Sequence, residues 1–157
     1  MRKILASAIT VATLSATPAL ALDVTKTATV AAPPATAWKT IGEFCGIGDW
    51  HPAVEKCVLS EKDGRQVRTL SLKGGGTIVE QEVSRDDKTM AYTYAILESP
   101  LPVEGYKPTL SVAPDGKGSK LTWTGSFKAM GAPDAKAEVV VAGIYEGGLK
   151  GISDKAK

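Results

Sequence analysis

Turn signals interrupt this 157-residue chain at a nearly regular spacing between Val54 and Phe127: Asp63-Gly64, Gly74-Gly75-Gly76, Asp86-Asp87-Lys88, Ser99-Pro100-Leu101-Pro102 and Asp115-Gly116-Lys117-Gly118. Short runs between such signals are strands joined by reversals, so this stretch is read as an antiparallel meander. Strands are predicted at residues 54–60, 66–73, 77–84, 90–98, 106–112 and 120–129. Pro108 inside the fifth of these implies an edge or a bulge, because proline has no N–H for the ladder. A single long helical pattern follows from Asp134, with Val141, Ile144, Tyr145, Gly148 and Ile152 on one stripe. One helix beside a long meander is buried only if the sheet curls around it, and a curled sheet leaves a hollow suited to a small molecule.

The region before the meander supplies two more elements. Residues 22–30 alternate Val24, Lys26, Ala28 and Val30 against Thr25, Thr27 and Thr29, a β-branched-rich pattern of a further strand, which brings the count to seven. Pro33-Pro34 then opens a helix, since a missing N–H does no harm at a first turn. Its apolar face (Ala37, Trp38, Ile41) is expected to run to Phe44, with Gly46 and Gly48 as the stop. The fold class is therefore α+β, one domain over residues 22–157.

Residues 1–21 are set apart as an export signal. Arg2 and Lys3 precede an apolar stretch that ends in Pro18-Ala19-Leu20-Ala21, an A-x-A cleavage pattern. The stretch is too short to serve as a membrane span, so a periplasmic or secreted protein without stable membrane association is expected. The chain carries a formal charge of +2; removing Arg2 and Lys3, with no acid beside them, leaves 0. A neutral chain with interleaved signs has no footprint for nucleic acid. Cys45 and Cys57 are an even count in an exported chain, which favours a disulfide, while two unpaired thiols fit the same sequence.

Groups able to do chemistry are few. His51 is the only histidine, no G-x-S-x-G occurs, and neither cysteine sits in a nucleophile signature. Neither C-x-x-C nor H-E-x-x-H appears, and Gly74-Gly75-Gly76-Thr77 lacks the Lys-Ser/Thr of a phosphate loop. No metal, cofactor or catalytic residue is assigned. His51 fits either a general acid or base or a structural donor that pins its loop. Glu80 and Glu82 share a strand face with Ile78, and which face lines the hollow is left open. Trp123 and Phe127 fall with Leu121 on the face expected in the core. On the last helix, Glu146 and Lys150 are spaced to pair. Gly143, Gly147 and Gly151 make a shoulder of small residues, either a weakness tolerated by packing or a track for a ligand or another backbone.

At these residues the chain resembles a known group. Val30-Ala31-Ala32-Pro33-Pro34 with Trp38, then Trp50-His51-Pro52-Ala53-Val54, Ser99 to Val103 with Tyr106, and Leu121 to Gly125 with Phe127 are similar to the SRPBCC superfamily. The likeness is to its polyketide cyclase/dehydrase-like branch, akin to START domains and birch-pollen-type allergens. It implies the helix-grip fold, a seven-stranded antiparallel sheet curled around a long C-terminal helix. It implies a small, mostly apolar ligand in a cavity walled by Trp50, His51, Glu80, Tyr94, Leu101, Pro102, Tyr106, Trp123 and Ile144. It also places the 74–76 and 99–102 loops at the gate and latch of plant hormone receptors. The latch's His-Arg-Leu is missing, so hormone signalling does not carry over. Among exported relatives the chain is similar to the MxaD-type periplasmic accessory proteins of bacterial methanol oxidation, which implies a second role: assisting a periplasmic redox enzyme. A cyclase- or hydrolase-like enzyme using His51 or Glu80 is the third.

Overall fold

The computed structural model describes residues 21–157, so all of the expected export signal except Ala21 lies outside the described residues. Strand β1 (Leu22–Val30) leads into helix α1 (Pro34–Ile41), a 3-10 turn (Phe44–Gly46) and a single turn α2 (Ile47–Trp50). The meander follows as β2 (Val54–Lys62), β3 (Arg65–Leu72), β4 (Thr77–Asp86), β5 (Ala91–Glu98), β6 (Val103–Asp115) and β7 (Gly118–Ala129), and α3 (Asp134–Lys155) ends the fold. The strands form one open antiparallel sheet in the order β1-β7-β6-β5-β4-β3-β2. This is the antiparallel meander with one long helix that the turn spacing predicts, in the α+β helix-grip arrangement that the resemblance implies. The chain's first strand lies beside its last, so β1 and α3 are held together at one end of the meander.

The extent of the first helix is corrected. Helix α1 stops at Ile41, before Phe44, because Gly42 adopts φ +70, a left-handed geometry that ends a helix. Gly46 and Gly48, expected as the stops, lie instead within the two helical turns that follow. Pro108 lies in an interior strand, one residue past a bulge between Glu104 and Lys107. The β5–β6 ladder runs only from Ala91↔Ser111 to Thr93↔Thr109 and ends as Pro108 is reached. The sheet is therefore split beyond that point, which spares the missing N–H a partner.

Helix α3 buries Ala137, Val141, Tyr145, Gly148, Leu149 and Ile152. Tyr145 stacks on Trp123 of β7 at 4.9 Å between centroids and 10° between planes. Leu121, Trp123 and Phe127 all face this core. The expected Glu146–Lys150 pair does not form, because each side chain has a different neighbour. Glu146 meets Lys26 of β1 at 2.6 Å, and Lys150 meets Asp154 at 2.6 Å. At the other end, Trp38 donates its indole N–H to Asp87 (3.0 Å), and Arg85 bonds both Asp87 (2.8 Å) and the Gly42 carbonyl (3.0 Å), which clamps α1 to the β4–β5 turn.

The glycine shoulder of α3 is occupied by the chain itself. A Cβ on Gly151 would overlap the Trp50 carbonyl, and one on Gly148 would overlap the Trp123 and His51 rings. Gly147 faces the Pro52 ring at 3.6 Å, whereas Gly143 faces open space. The track thus admits the Trp50-His51-Pro52 backbone, close enough for His51 to reach a helix carbonyl. Opposite outcomes follow for two alanine substitutions. Gly143→Ala should raise stability by about 0.5–1 kcal/mol through helix propensity. Gly151→Ala should lower it despite the same propensity gain. Thermal unfolding of the two variants checks the sign of each.

Candidate functional site

Between the sheet and α3 lies a cavity of about 180 Å³. Its sheet side is made by Leu70 and Leu72 of β3, Ile78 and Glu80 of β4, Tyr94, Tyr106 and Trp123. Its helix side is Val140 and Ile144, with Ile47, His51, Ala53 and Val54 closing one end and Leu101 another. The 74–76 and 99–102 loops are neighbours, since a Cβ on Gly76 would lie 3.7 Å from Pro100 Cγ.

The structure brings His51, Glu80, Tyr94, Leu101, Tyr106, Trp123 and Ile144 together around this cavity. Trp50 and Pro102 are corrections. Trp50 turns away to donate its indole N–H to the Ile41 carbonyl at 3.0 Å and packs edge-on to Trp123 at 5.9 Å. Pro102 does not line the cavity, and its carbonyl accepts the Met130 N–H at 3.0 Å.

The register of β4 turns Ile78 and Glu80 inward, with Glu80 only 4% exposed. A buried carboxylate requires a partner, and sequence reasoning missed it: Arg68 on the neighbouring β3, paired with Glu80 across the ladder and wholly buried. Arg68 Nε donates to Glu80 Oε2 at 2.6 Å, and Nη1 donates to the Phe44 carbonyl at 2.5 Å. The guanidinium lies over the Phe44 ring at 4.1 Å and the Tyr94 ring at 4.8 Å. Burial works to lower its pKa, but the Glu80 carboxylate, aided by Tyr92 and Tyr94, outweighs burial and holds it above the ordinary arginine value. Pattern alone offers one signal, an Arg at period two from Leu70 and Leu72 on the same strand face.

His51 is fixed on both sides of its ring. Nδ1 accepts the Ala53 N–H at 3.2 Å, which places the proton of the neutral ring on Nε2, facing the Ile144 carbonyl at 3.1 Å. Its backbone is extended, as the following Pro52 dictates. Burial lowers its pKa, the Ile144 carbonyl acts the other way, and the Arg68 charge lowers it further; the net shift is downward. Tyr94 Oη accepts the Trp123 indole N–H at 3.2 Å, leaving its own proton to give. Burial pushes both the Tyr94 and Tyr106 phenols well above their usual range, so they are neutral donors. Tyr145 Oη is sealed in without an aligned hydrogen bond.

Cys45 and Cys57 are joined, with Cα atoms 5.6 Å apart. The bond ties the turn that carries Phe44 to β2. A loop of this size stabilises by about 3 kcal/mol through restriction of the unfolded chain. Among the described residues no group of three or more His, Cys, Asp or Glu could hold a metal.

The profile of the family described as polyketide cyclase/dehydrase and lipid transport matches residues 21–157, and the chain belongs to that family. Among solved structures it is similar to the protein XoxI from Bacillus cereus, with 32% identity and a TM-score of 0.80 over 85% of this chain and 94% of that one. The Zhui aromatase/cyclase from Streptomyces sp. R1128 shares the fold at 23% identity and a TM-score of 0.74, covering 87% of this chain and 94% of that one. Ara h 8.0201 does so at 19% and 0.70, over 87% and 97%. No curated protein matches the sequence.

Two outcomes are expected from this geometry. His51 is neutral in the fold, while the unfolded chain takes up a proton near pH 6.5. Its contribution is therefore fully present above about pH 6.5 and is lost as pH falls from there towards the lowered folded value. Urea unfolding across this range should show that slope, and His51→Gln should flatten it. Arg68→Met should cost about 3–5 kcal/mol by stranding the Glu80 charge, whereas Arg68→Met with Glu80→Leu should regain most of that loss. Equal instability of the single and double variants would show that the charge is not what matters.

Proposed function

We propose that this chain is an exported, non-catalytic protein that holds a small, mostly apolar ligand in the cavity between its sheet and α3. The observation that carries this reading is a preformed apolar hollow in which both groups suited to acid–base chemistry are already committed. His51 is bonded through both nitrogens to backbone, and Glu80 is bonded to Arg68. A general base must be able to reach a substrate proton, and His51 can do so only by giving up a bond that pins its loop. Export is supported by the disulfide, which persists in oxidising compartments. No helix among the described residues is long and apolar enough to cross a membrane.

A second reading, an accessory protein to a periplasmic redox enzyme, has one observation in its favour. Strand β2 is a sheet edge whose Val58 and Leu59 are both exposed, and such an edge can pair with another chain. The open cavity favours the first reading, since a surface role does not require a hollow. Native mass spectrometry of protein taken from the periplasm distinguishes them. The expected result is a fraction carrying a small added mass that is released on unfolding. A chain found bound only to a second protein, with nothing small released, would favour the accessory role.

A further inference from the structure

Resting on the ligand-binding reading above, we propose that Glu80 is the specificity-determining group of the cavity and selects a neutral single-ring phenol or alcohol over a carboxylic acid. Three observations lead there. The first is an unused acceptor. Glu80 Oε2 is taken by Arg68, but among the described residues Oε1 receives no hydrogen bond, and Glu80 lines the cavity. Oε1 is also not sealed away as Arg68 Nη2 and Tyr145 Oη are. A carboxylate oxygen in a largely apolar hollow is satisfied only by a donor that enters with the ligand.

The second is the placement of charge. Arg68 stands behind the carboxylate, covered by the Phe44 and Tyr94 rings, and is not part of the cavity wall. An anionic ligand would meet Glu80 before any cation. A cationic ligand gains little, because Arg68 already balances the carboxylate and the ligand's own charge would be buried uncompensated. Neutral donors are what remain, and a hydroxyl is favoured among them because its oxygen also accepts. Tyr94, whose hydroxyl proton is unspent after it accepts from Trp123, can bond the same hydroxyl oxygen in return.

The third is size. A cavity of about 180 Å³ is slightly larger than the roughly 150 Å³ hollow known to take benzene. That leaves room for one ring and a short substituent. Fused polycyclic ligands do not fit without moving the walls, and His51, Trp123 and Tyr145 fix those walls by packing and hydrogen bonds.

The test is calorimetric titration of the disulfide-bonded protein with four probes: 4-ethylphenol, its isomer 4-methylanisole, ethylbenzene and 4-methylbenzoate. The phenol should bind at least about 10-fold tighter than the anisole, the value of one hydrogen bond to a charged acceptor, and 4-methylbenzoate should bind weakest. Glu80→Gln should narrow the phenol-to-anisole ratio and strengthen 4-methylbenzoate, since it leaves the Arg68 charge unmatched. Equal affinity for the two isomers, or 4-methylbenzoate binding as well as the phenol, would overturn the role of Glu80 while leaving ligand binding intact. Failure of all four to bind would overturn both. If Glu80→Gln does not fold, the isomer comparison on the native chain decides alone.

Discussion

A guanidinium with no exposed surface is the constraint on which much of this structure depends. Placing one charge in an apolar interior is so unfavourable that its surroundings must be arranged around it. Arg68 therefore fixes the register of β4, since only an inward Glu80 provides the counter-charge. It fixes the 3-10 turn, since the Phe44 carbonyl must face Nη1. It also fixes the aromatic layer, because the Phe44 and Tyr94 faces shield the cation on the sides where no oxygen is available. Among the described residues the Nη2 amino group still has no partner, and the price is partly offset by that ring contact. The disulfide beside Phe44 then serves the same arrangement, because it holds the carbonyl-bearing turn against β2.

The opposite end of the cavity depends on close backbone approach instead of charge. Glycines at 148 and 151 let the Trp50-His51-Pro52 segment lie against α3. That contact positions His51 between the Ala53 N–H and the Ile144 carbonyl. The propensity lost in a glycine-rich helix is thus exchanged for a fixed wall. Between the two ends, Trp123 connects everything. It stacks on Tyr145, donates to Tyr94, and meets both Trp50 and His51 at their ring edges. A cavity bounded in this way is preorganised, so a ligand that fits loses little affinity to ordering its site.

How legible this was in the sequence depended on the range of the interaction. Turn chemistry and period-two alternation are local, and they located all seven strands to within a few residues. The inward face of β7 followed from the same rule. Helix α1 ends earlier than its apolar pattern predicts because Gly42, four residues before Gly46, takes a positive φ, a tertiary choice that its sequence context does not reveal. Glu146 and Lys150 were spaced correctly but lost to competitors, and a pair on the surface yields readily when a β1 lysine or a helix aspartate is nearer. Arg68 was missed altogether. Its role needs the β3–β4 register, and a single arginine in a strand normally marks a solvated face. Trp50 is expected in the cavity together with His51, yet adjacent residues need not share a direction.

Membership in a family named for cyclases says less about chemistry here than the state of two side chains does. The fold is shared with an aromatase/cyclase at 23% identity, and a shared fold hosts unrelated activities. An acid–base catalyst needs a group whose proton can move towards a substrate. His51 has both nitrogens turned to backbone, and a proton added at Nδ1 would face the Ala53 N–H and break the bond that holds its loop. Glu80 keeps one oxygen towards the cavity, but the other accepts the Arg68 Nε–H at 2.6 Å. The commitments of His51 and Glu80 to neighbouring groups, more than the family's name, are therefore what any account of chemistry in this cavity must start from.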